Sequence, residues 1–148
     1  MRRINRSELF METAKLLALR STCQRAQVGA VVVKDHRIVS TGYGGSPSGM
    51  PHCLDEGCTI GPDGGCISTI HAEANSIAFA ARHGIFIDGC TMYVTLSPCL
   101  NCSKLIINSG IKAVCYLKEY RDVEPLKLLR KAGIDTICYD HLLSQLMD

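Results

Sequence analysis

Two short clusters constrain this chain more than anything else in it: Ile-His-Ala-Glu-Ala, with His71 and Glu73, and Ser-Pro-Cys-Leu-Asn-Cys, with Pro98, Cys99 and Cys102. Cysteines three apart share a helix face and can grip one ion together. Pro98 suits a helix start, where its missing N–H would have had no partner. The positive end of that helix favours thiolates. His71 opens a second run, Ala-Glu-Ala-Asn-Ser-Ile-Ala-Phe-Ala-Ala-Arg, rich in good helix formers. Glu73 is two residues on, so along a regular helix it points away from His71. Both serve one site only if that site lies off the helix end. The fold must therefore bring two helix starts to one point.

One imidazole and two thiolates match a catalytic zinc, which commonly keeps three protein ligands and one open position. Their two negative charges balance the metal's. His71, Cys99 and Cys102 are thus read as ligands, and Glu73 as a general acid/base that is not a ligand. A lone Cys-x-x-Cys is equally a redox pair or half of a structural zinc site. The joint pattern, with each half at a helix start, favours the catalytic zinc.

Residues 1–148 are expected to form a single domain, long enough to bury a core. No long uncharged stretch offers a transmembrane span, and Met-Arg-Arg-Ile-Asn-Arg-Ser-Glu lacks the apolar region of a signal peptide. Nine cysteines without such a signal point to reduced thiols, metal sites and a cytoplasmic location. A net charge of +2 is too mild to argue for nucleic acid.

Strands are expected at 28–33, 38–41, 91–96, 111–117 and 134–139, with a turn at Lys34-Asp35-His36-Arg37. Helices are expected from Ser7, as cap, to Arg20, from His71 to Gly84, from Cys99 to Gly110, over 123–132, and in the tail from His141 to Met147. In the first helix Leu9, Ala14, Leu16, Leu17 and Leu19 supply the apolar surface. Strands alternating with helices predict an α/β fold, a sheet covered on both faces. Cys90, Cys115 and Cys138 fall in or beside strands and read as core. His36, His83 and His141 read as surface.

The stretch from Gly42 to Thr69 is long for a loop, and loops of this length are usually functional or disordered. It holds His52, Cys53, Cys58 and Cys66, and Cys23 lies just before the first strand. Those four thiols can form a closed tetrahedral site of the structural kind, with His52 as substitute ligand. The alternative is that they are simply buried, as free cysteine often is.

The spacing H-x-E then P-C-x-x-C is the known signature of zinc nucleobase deaminases. Longer stretches, 20–33, 41–53, 71–77 and 91–104, resemble the deoxycytidylate (dCMP) deaminase family, and most of all its bacterial and phage branch. The resemblance runs from about residue 7 to residue 139. It implies a cytidine-deaminase-like three-layer α/β/α sandwich around a five-stranded mixed sheet. It also implies hydrolytic deamination of dCMP to dUMP and ammonia, supplying dUMP for thymidylate synthesis. Zinc on His71, Cys99 and Cys102 would lower the pKa of a bound water toward ~7, with Glu73 as the proton shuttle. Backbone at Ser97 would receive the exocyclic amino group and backbone at Ala72 the base oxygen. In the phage branch a second zinc draws on cysteines matching Cys23 and Cys53, and Cys58 and Cys66 would complete it here. Family members are commonly hexamers regulated by dCTP and dTTP. That implies an effector at the Gly42, Tyr43 and Gly45 loop, with Mg2+ accompanying the triphosphate.

For the 5'-phosphate a cation and hydrogen-bond donors are needed. Arg25, Asn75 and Tyr120 are the candidates by match to family positions, ahead of Lys104. One departure bears on the substrate. The family's Gly-Tyr-Asn-Gly reads Gly-Tyr-Gly-Gly here, so Gly44 offers only backbone where a sugar-binding side chain is usual. Loss of a polar contact loosens discrimination, which leaves a modified cytosine nucleotide as an alternative substrate. Single-stranded nucleic acid would need a basic groove with stacking aromatics, and the chain has no Trp, three Phe and five Tyr. A silent nucleotide sensor would not need Glu73.

Overall fold

The computed structural model describes residues 1–146. Its elements are α1 (Arg6–Ala18), β1 (Gly29–Lys34), β2 (Arg37–Tyr43), α2 (Cys53–Glu56), α3 (Ala72–His83), β3 (Thr91–Leu96), α4 (Leu100–Asn108), β4 (Ala113–Lys118), α5 (Glu124–Lys131), β5 (Asp135–Cys138) and α6 (Tyr139–Leu146). The strands form one mixed sheet in the order β2-β1-β3-β4-β5. β1 pairs antiparallel with β2 and β3, and β4 and β5 add in parallel. The expected three-layer α/β/α sandwich is what forms.

Alternation along the central strands divides the core into two layers. Ala30, Val32, Met92, Val94, Val114 and Tyr116 face α3, α4 and α5, where they pack on Ala72, Ala80, Ile106, Leu126 and Leu129. Val31, Val33, Tyr93 and Cys115 face the other way, onto Phe10, Met11 and Ala14 of α1 and Tyr139 of α6. Cys90 and Cys115 are buried and Cys138 is half-buried, packed against the first layer. The β1–β2 turn places Asp35 and His36 at φ 47° and 63°, the two-residue geometry whose twist matches a hairpin.

Helix α1 differs from expectation in two ways. Asn5, not Ser7, caps it: the Asn5 carboxamide oxygen accepts from the Glu8 amide at 2.9 Å, and the Glu8 carboxylate accepts from the Asn5 amide at 2.8 Å. The Ser7 hydroxyl instead meets the Tyr93 hydroxyl at 3.2 Å. The buried stripe is Phe10, Met11, Ala14 and Ala18, whereas Leu9, Leu16 and Leu19 are exposed. The reason is steric. A Cβ at Gly29 would overlap the Ala14 carbonyl oxygen and stand 2.6 Å from the Ala18 amide, so the helix lies on the sheet through its alanines.

The long loop is more ordered than its composition implies. It contains α2 and a tight hairpin closed by pairing of Ile60 with Cys66, and its end pairs Ile70 with Gly45. At the other end of the chain Tyr139 leaves the last strand and begins α6. Met147, expected in that helix, lies outside the described residues. No helix among the described residues is long and apolar enough to cross a membrane.

Candidate active site

His71 and Cys99 are each the residue at which a helix begins. His71 caps α3 and Cys99 caps α4, both with extended backbone. Cys102 lies in the first turn of α4, and its amide donates to the Cys99 sulfur at 3.5 Å. Both starts meet at one end of the sheet, just past the C-terminal end of β3, where ligands of open α/β sheets gather. The three donor atoms converge: His71 Nδ1 is 3.4 Å from Cys99 Sγ and 3.5 Å from Cys102 Sγ. A tetrahedral zinc, with Zn–S about 2.3 Å and Zn–N about 2.0–2.1 Å, sets sulfur and nitrogen donors roughly 3.5 Å apart. The donor set fits that ion in both kind and spacing.

Electrostatics around the triangle follow from the same closeness. The hydrogen bond to Cys99, against the cost of burial, raises His71 to about 9. The Cys99 thiol is lowered, first by its hydrogen bond with Cys102 and then by His71, and Cys102 is raised by the same pairing and by burial. Without an ion one sulfur carries the charge; a dication brings both to thiolate and releases a proton. Glu73 is 4% exposed, and burial pushes its carboxyl up to about 7. It sits in the first turn of α3 beside the ligands, as a site off the helix end requires.

A cavity of about 410 Å³ opens onto the triangle, and His71, Glu73 and Cys99 line it. Of the expected substrate residues, Arg25, Gly44, Ala72, Ser97 and Tyr120 line the same cavity. The Ser97 hydroxyl accepts from the Tyr120 amide at 2.7 Å, which pins the segment after β4 to the cavity wall. Asn75 does not line it. Its carboxamide donates to the carbonyl oxygens of Tyr43, at 2.8 Å, and Ile70, at 3.4 Å, holding both ends of the long loop against α3. Lys104 is exposed on α4 and outside the cavity. Gly42 is the point of closest approach between β2 and α3. Gly44 contributes backbone only, and a Cβ there would stand 3.2 Å from the Ser21 hydroxyl. Asp63 and Thr69 also line the cavity; nothing in their sequence spacing marked them.

The second group of thiols assembles as well. Cys23, Cys58 and Cys66 place their sulfurs within 4.8 Å of one another, and Cys53 Sγ lies 3.7 Å from Cys66 Sγ. Sulfurs around a tetrahedral zinc stand roughly 3.8 Å apart; Cys53 meets that distance to Cys66 but stands outside the group of three mutually close sulfurs. Burial pushes the Cys53 thiol up. At Cys66 burial is outweighed by the Ser68 amide, the Thr69 hydroxyl and the neighbouring thiols, which bring it down. His52 begins α2, is exposed, and stands outside the group.

Residues 4–118 match the model of the cytidine and deoxycytidylate deaminase zinc-binding region. The chain belongs to this family. ComE operon protein 2 of Bacillus subtilis is 48% identical over 136 residues, covering 90% of this chain and 71% of its own. The deoxycytidylate deaminase of Enterobacteria phage T4 is 37% identical, covering 88% of each chain. Among solved structures, the dCMP deaminase of cyanophage S-TIM5 in complex with dCMP and dUMP superposes with a TM-score of 0.80 at 36% identity, covering 92% of this chain and 98% of that one. The matched region is a zinc-binding one, and His71, Cys99 and Cys102 within it form a group that could hold such an ion.

Proposed function

We propose that this chain is a zinc-dependent hydrolase that deaminates dCMP to dUMP and ammonia. One observation carries the reading: His71, Cys99 and Cys102 form a zinc-sized triangle at the floor of a cavity whose only buried carboxyl is Glu73. Zinc held there would supply a water acidic enough to attack near neutral pH. The chain supplies the rest. Glu73 would take the water proton to the ring nitrogen and then carry the proton of the new C4 hydroxyl to the amino group, which leaves as ammonia; a carboxyl raised to about 7 is matched to accepting and releasing a proton near neutrality. Ala72 opens α3, so its amide is one of the unpaired donors of a helix start and would receive the base oxygen. The Ser97 amide is taken by the Lys118 carbonyl at 2.8 Å, which leaves the Ser97 carbonyl for the departing amino group. Arg25 and Tyr120 serve the 5'-phosphate, and Asn75 acts on it only through the loop it holds.

The reading extends to a second, structural zinc on Cys23, Cys53, Cys58 and Cys66. Their sulfur spacing and the Gly-rich loop around them support it. It extends further to a single-domain enzyme of the cytoplasm that assembles as a hexamer. Its activity would be set by dCTP and dTTP, with Mg2+ carried by the triphosphate. Tyr43 and Gly45 would meet that effector, while Gly42 shapes the same loop by its packing on α3.

Ammonia release from zinc-loaded protein tests this reading, with cytidine, CMP, dCMP, 5-methyl-dCMP and dCTP as substrates, each with and without added dCTP or dTTP. Turnover of dCMP far above the others is expected. A preference for 5-methyl-dCMP moves the substrate to a modified cytosine nucleotide, and silence across the panel overturns the reading.

A further inference from the structure

The loop thiols do more in this fold than staple a loop. The cavity over the zinc triangle has one wall built from the sheet and helix starts and another built from two stretches of irregular chain. The first irregular stretch follows α1 and brings Cys23 and Arg25; the second is the 60–66 hairpin, which brings Asp63 and Cys66. Cys23 and Cys66, one from each stretch, both line the cavity. Their sulfurs, with that of Cys58, lie within 4.8 Å of one another. The two stretches thus meet at the thiols.

Little else holds the hairpin. Backbone bonds close it on itself, Gly61 to the Gly65 carbonyl at 2.8 Å and Ile67 to the Thr59 carbonyl at 2.9 Å. Its apolar side chains stay out: Ile60 is 49% exposed and Ile67 65%. A segment with few buried apolar contacts opens at small free-energy cost unless something else closes it. His71, Glu73, Cys99 and Cys102, by contrast, stand on helices packed on the sheet. The machinery for the reaction and the wall around the nucleotide therefore rest on separate supports.

We propose that a divalent metal on Cys23, Cys53, Cys58 and Cys66 is a positioning element of the nucleotide site, closing the cavity wall that carries Arg25 and Asp63. The inference rests on the dCMP reading above. The metal then governs how tightly the nucleotide binds and leaves the chemical step alone.

Cys58→Ser is the informative variant, because Cys58 is a thiol of the group that does not line the cavity. Metal content falls from two ions per chain to one, with the catalytic ion kept. KM for dCMP rises roughly tenfold to a hundredfold, the worth of one hydrogen bond to a charged group. At saturation kcat stays within about threefold, as expected when binding and not chemistry is disturbed. The Kd of dUMP, measured by calorimetry, rises with KM. Cys58→His, which restores a ligand, restores the second ion and both constants. Loss of the second ion with KM and the dUMP Kd unchanged overturns the proposal, as does a fall in kcat alone.

Should Cys58→Ser not fold, the wild-type protein answers the same question by linkage, since a metal that tightens nucleotide binding must itself be tightened by the nucleotide to the same extent. With cobalt as the probe, dUMP should tighten its equilibrium binding at the four-thiolate site, read by competition with a chelator, and an unchanged affinity overturns the proposal. Wild-type silence toward dCMP falls on the substrate reading instead, and the nucleotide that is turned over then replaces dCMP in the same comparison.

Discussion

Gly42 and Ala72 meet backbone to backbone: a Cβ on Gly42 would overlap the Ala72 carbonyl oxygen and stand 2.7 Å from the Ser76 amide. That contact sets the first turn of α3 against β2, and the first turn of α3 carries His71 and Glu73. The Ser40 hydroxyl, donating to the Ser76 carbonyl at 2.7 Å, reinforces it one strand position pair away. Gly42→Ala is expected to cost about 1–3 kcal/mol, the range for overpacking a tight contact. It should also weaken zinc retention, because the helix start must shift. Urea unfolding and zinc content of the same preparation check both; a folded variant of normal stability would show that α3 can slide without loss.

Glu73→Gln separates proton transfer from metal binding. The amide keeps the shape but cannot accept the proton, so turnover should fall roughly a hundredfold to ten-thousandfold, the usual worth of a general acid/base. Zinc should remain at wild-type stoichiometry, because the triangle of His71, Cys99 and Cys102 is complete without Glu73. Zinc lost together with activity would make Glu73 a ligand and refute the assignment.

Arg25 is the cation of the cavity wall, and its test lies in which substrates suffer. Arg25→Ala should raise KM for dCMP by roughly tenfold to a hundredfold, the loss of a charge-assisted hydrogen bond. Cytidine, which has no phosphate, should be affected far less. Steady-state kinetics on both substrates decide the matter; equal losses on the two would move Arg25 from phosphate recognition to support of the loop.

Asn75 is expected to act on stability and not on the phosphate. Its carboxamide joins the Tyr43 and Ile70 carbonyls to α3. Asn75→Ala removes one donor from each of those half-buried carbonyls, the Ile70 oxygen keeping the Gly45 amide, at about 1–3 kcal/mol. Thermal unfolding with and without dUMP reads the loss. A dCMP KM raised while stability stays at the wild-type value would return Asn75 to the substrate.

Much of this was legible in the sequence, and the reason differs by element. The zinc triangle was readable because local chemistry fixes it: two cysteines three apart at a proline-marked helix start, and a histidine opening an alanine-rich run. The β-hairpin was readable from its β-branched runs and polar turn. The buried face of α1 was legible only at Ala14 and Leu17, because Leu9, Leu16 and Leu19 outweigh the alanines in hydrophobicity, yet backbone approach at Gly29 chooses Ala14 and Ala18. The cap was missed for a related reason, since Asn5 and Ser7 are both good caps and only the reach of Glu8 back to Asn5 decides. Asp63 and Thr69 were invisible because a loop's approach to a cavity leaves no periodic mark in sequence.

Gly44 is the residue whose meaning the fold changes most. Read as sequence, the missing side chain leaves room in the pocket for water or for a larger substrate. In the structure the Cβ direction at Gly44 runs toward the wall, with the Ser21 hydroxyl 3.2 Å from where that atom would be and the Ala26 carbonyl oxygen at 4.0 Å. Ser21 is itself 5% exposed, and its hydroxyl accepts from the Cys23 amide at 3.3 Å while donating to the Ala26 carbonyl at 3.4 Å. A Cβ at 44 would therefore press on a buried, bonded serine, which would have to give by a few tenths of an ångström. Gly44→Ala should cost about 1–3 kcal/mol through overpacking, and Ser21→Ala in the same chain should return most of it by clearing the hydroxyl. The ratio of kcat/KM for dCMP to that for 5-methyl-dCMP should be the same in the single variant as in wild type. A ratio that shifts toward dCMP when the methyl group is added at 44 would show that Gly44 faces the base after all and sets which cytosine is accepted.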